Sequence, residues 1–378
     1  MEQKTNIDVK RTNQVSVYRK ILKHDRITIQ QLSQSLGMSV PTVTKNINEL
    51  ILQGLVKESG EYDSTGGRRP KTVSPIKTTK VAVGLDITQN HISIVAVDLC
   101  GNVLNFKRLR KIFVNEAQYY SEVAALVNSF IDENHFRKQT VLGVGIAIPG
   151  IVSADGMVIM GSGVLKIRGE HVDNPFAGQF EYENSMLNEA NAAGFIEWFG
   201  SNEVKDMVYL SLSNSVGGAI IIDGQLFPGD TQRSAEFGHV ITHKDGKCCY
   251  CGKKGCYDFY GKAVLLSDLA DGSIDTFFKQ LRRGNVLFQK TFDVYLNDLA
   301  FLVGNLRTQF DCPIVLGGYV GSYLDEYLDE VKKRVSAYTL KETGYLKTCK
   351  YKIEASAAGA AMQYIYRFIT NLNRVFPN

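Results

Sequence analysis

Two features that would send a chain into or across a membrane are missing from these 378 residues. The N-terminus shows no signal-peptide pattern of a basic start followed by a short apolar stretch. No apolar run reaches the roughly 18 residues that a membrane helix needs, although 44% of the residues are hydrophobic. We therefore expect a soluble cytoplasmic protein of two or three domains whose thiols stay reduced and form no disulfides.

Cysteine is also scarce, but four of the seven cysteines fall within nine residues. They are Cys248, Cys249, Cys251 and Cys256. Because reduced cysteines near histidines are typical of metal sites, and thiolates with one imidazole suit a closed tetrahedral site, we predict structural Zn²⁺. The predicted ligands are His239, Cys249, Cys251 and Cys256. The C-x-C-G-x-x-G-C spacing supplies glycines for a tight loop; Cys248 is left over, and His243 is the alternative to His239.

The net charge of the chain is only +4, but the charged residues are unevenly distributed. Residues 1–80 carry 14 Lys or Arg against 7 Asp or Glu, whereas the rest of the chain carries 29 against 32. A basic N-terminal segment on a mildly acidic body is typical of a segment that binds a polyanion.

Residues 1–75 have the pattern of a winged helix-turn-helix DNA-binding domain. An amphipathic helix over Val15–Lys23 precedes a second helix, for which Thr28 is the N-cap and Gly37 the stop. A third helix is predicted from Ser39 to about Gln53. In a helix-turn-helix, this last helix enters the major groove of DNA.

The outer face of the third helix offers hydroxyl, amide and amino groups to DNA. Its predicted DNA-binding residues are Ser39, Pro41, Thr42, Thr44, Lys45 and Asn48. A strand over residues 55–58 and a glycine-containing turn then lead to a basic wing, which can reach phosphates or the minor groove. The predicted wing contacts are Arg68, Arg69 and Lys71. A protein-binding helical bundle is the alternative, but it leaves the basic wing without a purpose.

After a linker over residues 76–80, residues 81–378 show the pattern of an α/β domain. The predicted strands are residues 81–86, 91–98, 141–148, 207–212, 218–223 and 313–316. The predicted helices are residues 116–131, 293–310 and 362–375. Because similar orders of strands and helices occur twice, we expect two related α/β lobes with a ligand cleft between them.

Six short motifs in the body together resemble one protein family. They are A-I-P-G at 147–150, N-E-A-N-A-A at 188–193, V-G-G-A-I at 216–220, E-x-G-H with the cysteine cluster at 236–256, L-G-G at 316–318 and A-A-G-A-A at 357–361. Residues 80–366 resemble the ROK family (repressor, open reading frame, kinase), which contains sugar kinases and sugar-sensing repressors of the actin-like ATPase fold. The fused head and the N-E-A-N motif are similar to the xylose-repressor branch.

The resemblance implies a set of sugar-binding residues. In kinases of this family an Asn-Asp pair holds the sugar and the Asp acts as base; the matching pair here is Asn188-Glu189, so that Glu189 occupies a vestigial base position. The implied sugar-binding residues are Asn188, Glu189, Glu236, His239 and Asp258. Carboxylates, amides and imidazoles are suited to binding vicinal hydroxyl groups.

The glycines with which the family's kinases bind phosphate are largely missing. The D-x-G-G-T loop of the kinases corresponds to residues 86–90, D-I-T-Q-N, and their G-T-G-x-G-G-G loop corresponds to residues 213–219, S-N-S-V-G-G-A. A side chain at these positions occupies the space through which phosphate approaches backbone N–H groups. We therefore expect no ATP binding and no enzymatic activity.

These predictions combine into a transcriptional repressor that senses a monosaccharide and acts as a homodimer or dimer of dimers on palindromic operator DNA. By resemblance, the sugar is xylose and its binding releases the operator, with glucose or an N-acetylated hexose as alternatives. An active sugar kinase with a fused DNA-binding head is the main alternative. A regulator controlled by a protein partner is the third hypothesis.

Overall fold

The computed structural model describes residues 6–61, 71–167, 169, 171–201, 204–339 and 344–372. These residues form an N-terminal head followed by two α/β lobes. In these ranges, no helix combines the length and the apolar character that crossing a bilayer requires.

The head is a winged helix-turn-helix. Its elements are α1 (Asn6–Leu22), β1 (Ile27–Thr28), α2 (Ile29–Leu36), α3 (Val40–Leu52), β2 (Val56–Glu61) and β3 (Lys71–Pro75). Thr28 begins α2 with a capping box, in which its hydroxyl accepts from the Gln31 N–H at 3.1 Å and the Gln31 side chain accepts from the Thr28 N–H at 2.9 Å. Gly37 ends the helix at a φ of 62°, and Ser39 caps α3 by accepting from the Thr42 N–H at 3.3 Å.

The first lobe contains a five-stranded mixed sheet. Its elements are β4 (Val81–Ile87), β5 (His91–Asp98), β6 (Val103–Arg110), α4 (Ala117–Glu133), β7 (Val141–Ile148), β8 (Ile151–Val152), β9 (Val158–Gly161), β10 (Val172–Asp173), β11 (Asn184–Asn188) and α5 (Glu189–Gly200). The strand order is β11-β7-β4-β5-β6, with β11, β7 and β4 parallel and the other pairs antiparallel.

The second lobe repeats this sheet. Its elements are β12 (Met207–Leu212), β13 (Val216–Ile222), β14 (Gln225–Leu226), α6 (Asp258–Gly261), α7 (Val264–Ser267), α8 (Ile274–Arg282), α9 (Val286–Phe310), β15 (Ile314–Gly317), α10 (Gly318–Gly321), α11 (Leu328–Val335), β16 (Leu346–Thr348) and α12 (Ala355–Thr370). The order β14-β13-β12-β15-β16 again joins an antiparallel meander to parallel strands. The predicted pair of related lobes is confirmed.

Two helices, α5 and α12, pack against each other between the sheets, and glycine makes their close approach possible. A Cβ at Gly359 would lie 1.8 Å from the carbonyl oxygen of Ala192 in α5, and one at Gly84 would lie 1.8 Å from that of Ala357. The A-A-G-A-A motif therefore belongs to α12, which begins at Ala355 and not at the predicted Met362, because close packing requires small residues there and they show no amphipathic period.

The head packs directly on the body. Tyr18 and Ile21 of α1 belong to the same hydrophobic cluster as Trp198 of α5 and residues of α12. The guanidinium carbon of Arg19 lies 6.0 Å from the ring centroid of Trp198 and 5.1 Å from that of Tyr366. These contacts join the head to the two helices that lie between the lobes.

Candidate functional site

A cavity of about 450 Å³ opens between the lobes where α5 begins. Four of the five predicted sugar-binding residues line it, namely Asn188, Glu189, Glu236 and His239. Asn188 and Glu189 stand at the junction of β11 and α5, whereas Glu236 and His239 stand at either end of the single 3₁₀ turn Phe237–His239. Side chains three residues apart are eclipsed on such a turn, which accounts for their place on one wall.

Asn188 is held firmly by its own hydrogen bonds. Its Oδ1 atom accepts from the N–H groups of Ala190 at 2.9 Å and Asn191 at 3.0 Å, and thereby caps α5. Its Nδ2 atom donates to the carbonyl oxygen of Gly150 at 3.0 Å. Because an amide nitrogen carries two hydrogens, one N–H of a rigidly oriented Asn188 remains for a ligand.

Glu189 carries a buried oxygen without a partner. Its Oε2 atom is inaccessible to solvent and forms no hydrogen bond among the described residues. Burial, together with the charges of Asp86 and Glu236, raises the pKa of this carboxyl to about 8, although hydrogen bonds from the backbone of Glu189 and Ala190 lower it. A carboxyl that is neutral near pH 7 can donate as well as accept, so a ligand hydroxyl could satisfy the oxygen, which is costly to leave unpaired.

The second pair of side chains places an acid beside an imidazole. Burial raises the pKa of Glu236, whereas the charges of His239 and Arg233 lower it. Sequence reasoning missed Arg233 and Tyr250, which also line the cavity. The Tyr250 ring is 62% exposed and stands edge-on to His239 with 5.2 Å between ring centroids. The signal for Tyr250 was its position between two predicted metal ligands.

Asp258, the fifth residue of the predicted set, does not lie among the residues that line this cavity. It is 2% exposed, and its Oδ1 atom accepts a hydrogen bond from the Val216 N–H at 2.7 Å. Burial raises the pKa of its carboxyl, and this hydrogen bond lowers it. In this structure Asp258 therefore anchors the loop before β13.

The predicted metal ligands converge beside the cavity. The ligand atoms of His239, Cys249, Cys251 and Cys256 all lie within 4.8 Å of one another. The Nδ1 atom of His239 lies 3.7 Å from the sulfur of Cys249, and the sulfurs of Cys251 and Cys256 lie 3.6 Å apart. Zinc–sulfur bonds of about 2.3 Å in tetrahedral geometry place ligand atoms about 3.8 Å apart. The cluster thus fits one zinc-sized ion.

The alternative ligand His243 has a different role. Its ring stacks on Tyr260 with centroids 3.7 Å apart, and its Nε2 atom lies 3.3 Å from a carboxylate oxygen of Asp298. A Cβ at Gly255 would lie 1.6 Å from the carbonyl oxygen of His243, and Gly255 has a φ of 78°. His243 therefore braces the cysteine loop from outside, and only glycine fits at position 255.

A second cavity, of about 680 Å³, lies between the lobes and is lined by residues of the two loops that sequence analysis aligned with phosphate-binding loops and by Gly318. The Tyr209 hydroxyl accepts from the Gly318 N–H at 3.1 Å, and the Ser213 hydroxyl accepts from the Tyr319 N–H at 3.4 Å. Burial raises the pKa of Asp86 on the facing wall to about 7, although the charge of Arg108 lowers it. One backbone N–H group in the L-G-G motif and the one directly after the motif are thus engaged by the protein's own side chains.

The outer face of α3 is polar and accessible. Ser39, Pro41, Lys45 and Asn48 are exposed, whereas the hydrophobic face of Val43, Ile47 and Leu50 is buried. Thr42 and Thr44 are only partly exposed. The Thr44 hydroxyl donates to the carbonyl oxygen of Val40 at 2.9 Å, and the Thr42 hydroxyl lies 2.9 Å from that of Ser39. Both threonine hydroxyls already have partners within the helix.

Of the predicted wing contacts, only Lys71 is described; Arg68 and Arg69 lie outside the described residues. Lys71 begins β3 and is exposed, and its amino group lies 3.4 Å from a carboxylate oxygen of Glu58 on the neighbouring strand. Exposed ion pairs are weak, so Lys71 remains able to contact phosphate.

The fold defines a class: a winged helix-turn-helix head on a two-lobed α/β body of the actin-like ATPase type. Residues 82–365 match the model of the ROK family, and residues 13–57 match the winged helix-turn-helix DNA-binding model. Since the first match covers most of the chain, the protein belongs to the ROK family.

Known transcriptional regulators and a known sugar kinase are similar to this chain. The xylose repressor of Bacillus subtilis is 29% identical over 266 residues, which cover 68% of each chain. The structure of a ROK family transcriptional regulator, a homologue of the Escherichia coli MLC protein, has a TM-score of 0.73 at 19% identity and covers 97% of this chain and 99% of its own. A ROK family glucokinase from Streptomyces griseus, in complex with glucose and AMPPNP, has a TM-score of 0.65 at 23% identity and covers 75% of this chain and 98% of its own.

Proposed function

We propose that the protein is a sugar-responsive transcriptional repressor of carbohydrate-utilisation genes of the xylose type, from which a bound monosaccharide releases operator DNA. Its winged helix-turn-helix head would read the operator through the outer face of α3. Its body would bind the sugar through Asn188, Glu189, Glu236 and His239. The similarity to a xylose repressor supports the choice of sugar.

The observation that carries the proposal is the position of α5. The helix begins at Glu189 in the cleft, and Trp198 near its other end lies beside Arg19 of the head. With 12 residues it spans about 18 Å. A sugar that reorients the start of this rigid helix therefore moves the surface on which the head rests.

The switch would be a difference in lobe closure. A sugar that contacts Glu189 from one lobe and Glu236 from the other favours the arrangement in which both contacts form at once. A nearly complete switch requires that the sugar prefer the released state by about 5.5 kcal/mol. Hydrogen bonds contribute about 0.5–1.5 kcal/mol each between neutral groups and about 1.5–3 kcal/mol each to charged groups, so about four bonds of both kinds made only in the closed state are enough.

The metal cluster would have a structural role in this mechanism. His239, Cys249, Cys251 and Cys256 would hold Zn²⁺, which would crosslink the loop after the 3₁₀ turn and neutralise its thiolates. With Nδ1 of His239 facing the sulfurs, the other ring nitrogen is available to a sugar hydroxyl. The protein would act in the cytoplasm as a homodimer or dimer of dimers on a palindromic operator.

An ATP-dependent sugar kinase is the alternative, and Glu189 at the position of the kinase base favours it. We infer that the protein is not an enzyme, because the turn at residues 88–90 lacks glycine and because Tyr209 engages the Gly318 N–H. Incubation of the purified protein with ATP and each sugar should yield no sugar phosphate. Production of ADP and sugar phosphate at an enzymatic rate would establish the kinase instead.

The repressor function is tested by a titration of a protein–operator complex with xylose, glucose and N-acetylglucosamine, followed by fluorescence anisotropy. We expect one sugar to release the DNA, and Glu189→Ala to bind operator normally but to lose the release. Operator affinity that no sugar of the panel changes would refute the xylose-type response and favour control by a protein partner.

A further inference from the structure

A third cavity, of about 560 Å³, lies at the junction of the head and the body. We call it the junction cavity. It is bordered by the end of α1, by Leu36 at the end of α2, by the turn that contains Cys100 and Asn102, and by Trp198, Phe199 and Lys350 of the body. None of the sugar-binding residues, metal ligands or DNA-binding residues proposed above lines it.

The walls of the junction cavity are strongly basic. Its basic side chains are Arg19, Lys20, Lys23, His24, Lys77 and Lys350, against a single acidic residue, Asp25. Asp25 is already paired with Lys77 at 2.8 Å. Among the residues described, no carboxylate lies within ion-pair distance of Arg19, His24 or Lys350.

A basic last turn alone does not explain this arrangement. Cations at the end of α1 are favourable because they face the carbonyl end of the helix. However, Lys77 follows β3 and Lys350 follows β16, so positive charges converge from separate parts of the fold. Like charges that share a half-enclosed space repel one another, and a bound anion relieves that repulsion.

Part of the wall is apolar. Leu22 of the head and Phe199 and Val204 of the body line the cavity beside the cations. Arg19 makes cation–π contacts with the rings of Trp198 and Tyr366, and its guanidinium carries five N–H donors of the kind that bind an oxyanion. The combination suits a ligand with one anionic end and a carbon skeleton of a few atoms.

We propose that the junction cavity binds a small phosphate-bearing metabolite, with its phosphate held by Arg19, His24 and Lys350 and its carbon skeleton against Leu22 and Phe199. Such a ligand contacts the head and the body at once and so fixes their relative position. The protein would then respond to two signals, a neutral sugar in the cleft and an organic phosphate at the junction. The binding site itself does not depend on the proposed response to sugar.

The shape of the cavity favours a small molecule over the phosphates of operator DNA. The cavity is a half-open recess between the head and the body, and no residue of α3 lines it. DNA that docks on α3 would need to bend into a recess of single-metabolite size to use these cations.

The test is isothermal titration calorimetry of the full-length protein with inorganic phosphate and with ribose 5-phosphate, and with ribose as the uncharged control, at constant ionic strength. Ribose 5-phosphate should bind at one site per chain and more tightly than inorganic phosphate, and ribose should not bind there. Lys350→Gln should weaken both phosphates at least about tenfold, since it removes a charge-assisted hydrogen bond. His24→Gln, which changes a different element, should weaken them as well.

Lys347→Gln is the matched control, because Lys347 is exposed and nearby in sequence but does not line the cavity. It should leave phosphate binding unchanged. Equal losses in Lys347→Gln and Lys350→Gln would show general ionic attraction and overturn the proposal, as would the absence of binding at millimolar phosphate. Loss of operator affinity in Lys350→Gln without phosphate, together with unchanged phosphate binding, would assign these cations to DNA instead.

Discussion

Replacement of Glu189 by Gln should make the protein more stable at alkaline pH. Burial raises the pKa of the Glu189 carboxyl from 4.5 to about 8 in the folded protein. Between these two values the folded state binds the proton more tightly than the unfolded state, so stability falls as the pH rises. Gln has nearly the same shape but does not titrate, so it escapes this loss.

The size of the expected change in the free energy of unfolding follows from the pKa shift of Glu189. Each pKa unit corresponds to about 1.36 kcal/mol, which gives an upper limit of about 5 kcal/mol for the wild-type loss above pH 8. The side chain as a whole is partly accessible to the cleft, and water there reduces the loss. We expect the stability difference between Glu189→Gln and the wild type to rise by about 1–3 kcal/mol from pH 5 to pH 8.5.

The assay is denaturant unfolding of both proteins across this pH range. Glu116→Gln is the matched control, since it makes the same chemical change at an exposed side chain at the start of α4. Any other effect of Gln on the free energy of unfolding should be the same at every pH. It therefore does not affect the comparison of how stability changes with pH. Parallel stability curves for wild type and Glu189→Gln would refute the buried, neutral carboxyl.

Three further predictions concern the head, the metal cluster and the DNA surface. Arg19→Gln should keep sugar affinity within about threefold but reduce sugar-induced operator release, because a cation–π contact of about 0.5–2 kcal/mol between the head and α5 is lost. Calorimetry measures the sugar affinity and fluorescence anisotropy measures the release. Unchanged release would argue against transmission through the contact between α5 and the head. Cys256→Ala should lose bound zinc in a metal analysis and have a lower melting temperature. Cys248→Ala should keep both the zinc content and the melting temperature of the wild type. Equal behaviour of the two variants would contradict the proposed set of metal ligands. Lys45→Ala should weaken operator binding and reduce the slope of log affinity against log salt by about 1, and an unchanged slope would remove Lys45 from the phosphate contacts.

Several parts of the fold that depend only on neighbouring residues could be predicted from sequence, although not all of them to the residue. Thr28 and Gly37 bound α2 as predicted, because a cap requires only the backbone a few positions away. The two lobes followed from strand and helix patterns, and the predicted metal ligands came together because most of them lie in one short loop. α9 begins at Val286 and not at the predicted Asp293, since Asn285 caps it through the Leu287 N–H at 3.2 Å.

What could not be predicted depends on contacts between distant segments. Asp258 matched a sugar-binding position by motif, but its carboxylate is engaged by the Val216 N–H, 42 residues away. Tyr209 occupies the Gly318 N–H from a strand 109 residues earlier, and no local pattern connects them. The cation–π contact of Arg19 with Trp198 likewise joins two domains that the sequence presents as separate.

These long-range contacts explain how a fold shared with kinases can serve as a sensor. A kinase uses lobe closure to bring a sugar and a nucleotide together, and closure needs only that ligand contacts form from both lobes. Here Glu189 comes from the first lobe and Glu236 from the second, and both line the cleft, so a sugar that contacts both would favour closure without a nucleotide. Because α5 carries Glu189 at one end and Trp198 near the other, a reorientation of α5 on closure would reach Arg19 of the head. On the proposed mechanism, a sensor needs a DNA-binding domain in contact with this helix and no change in the architecture of the two lobes.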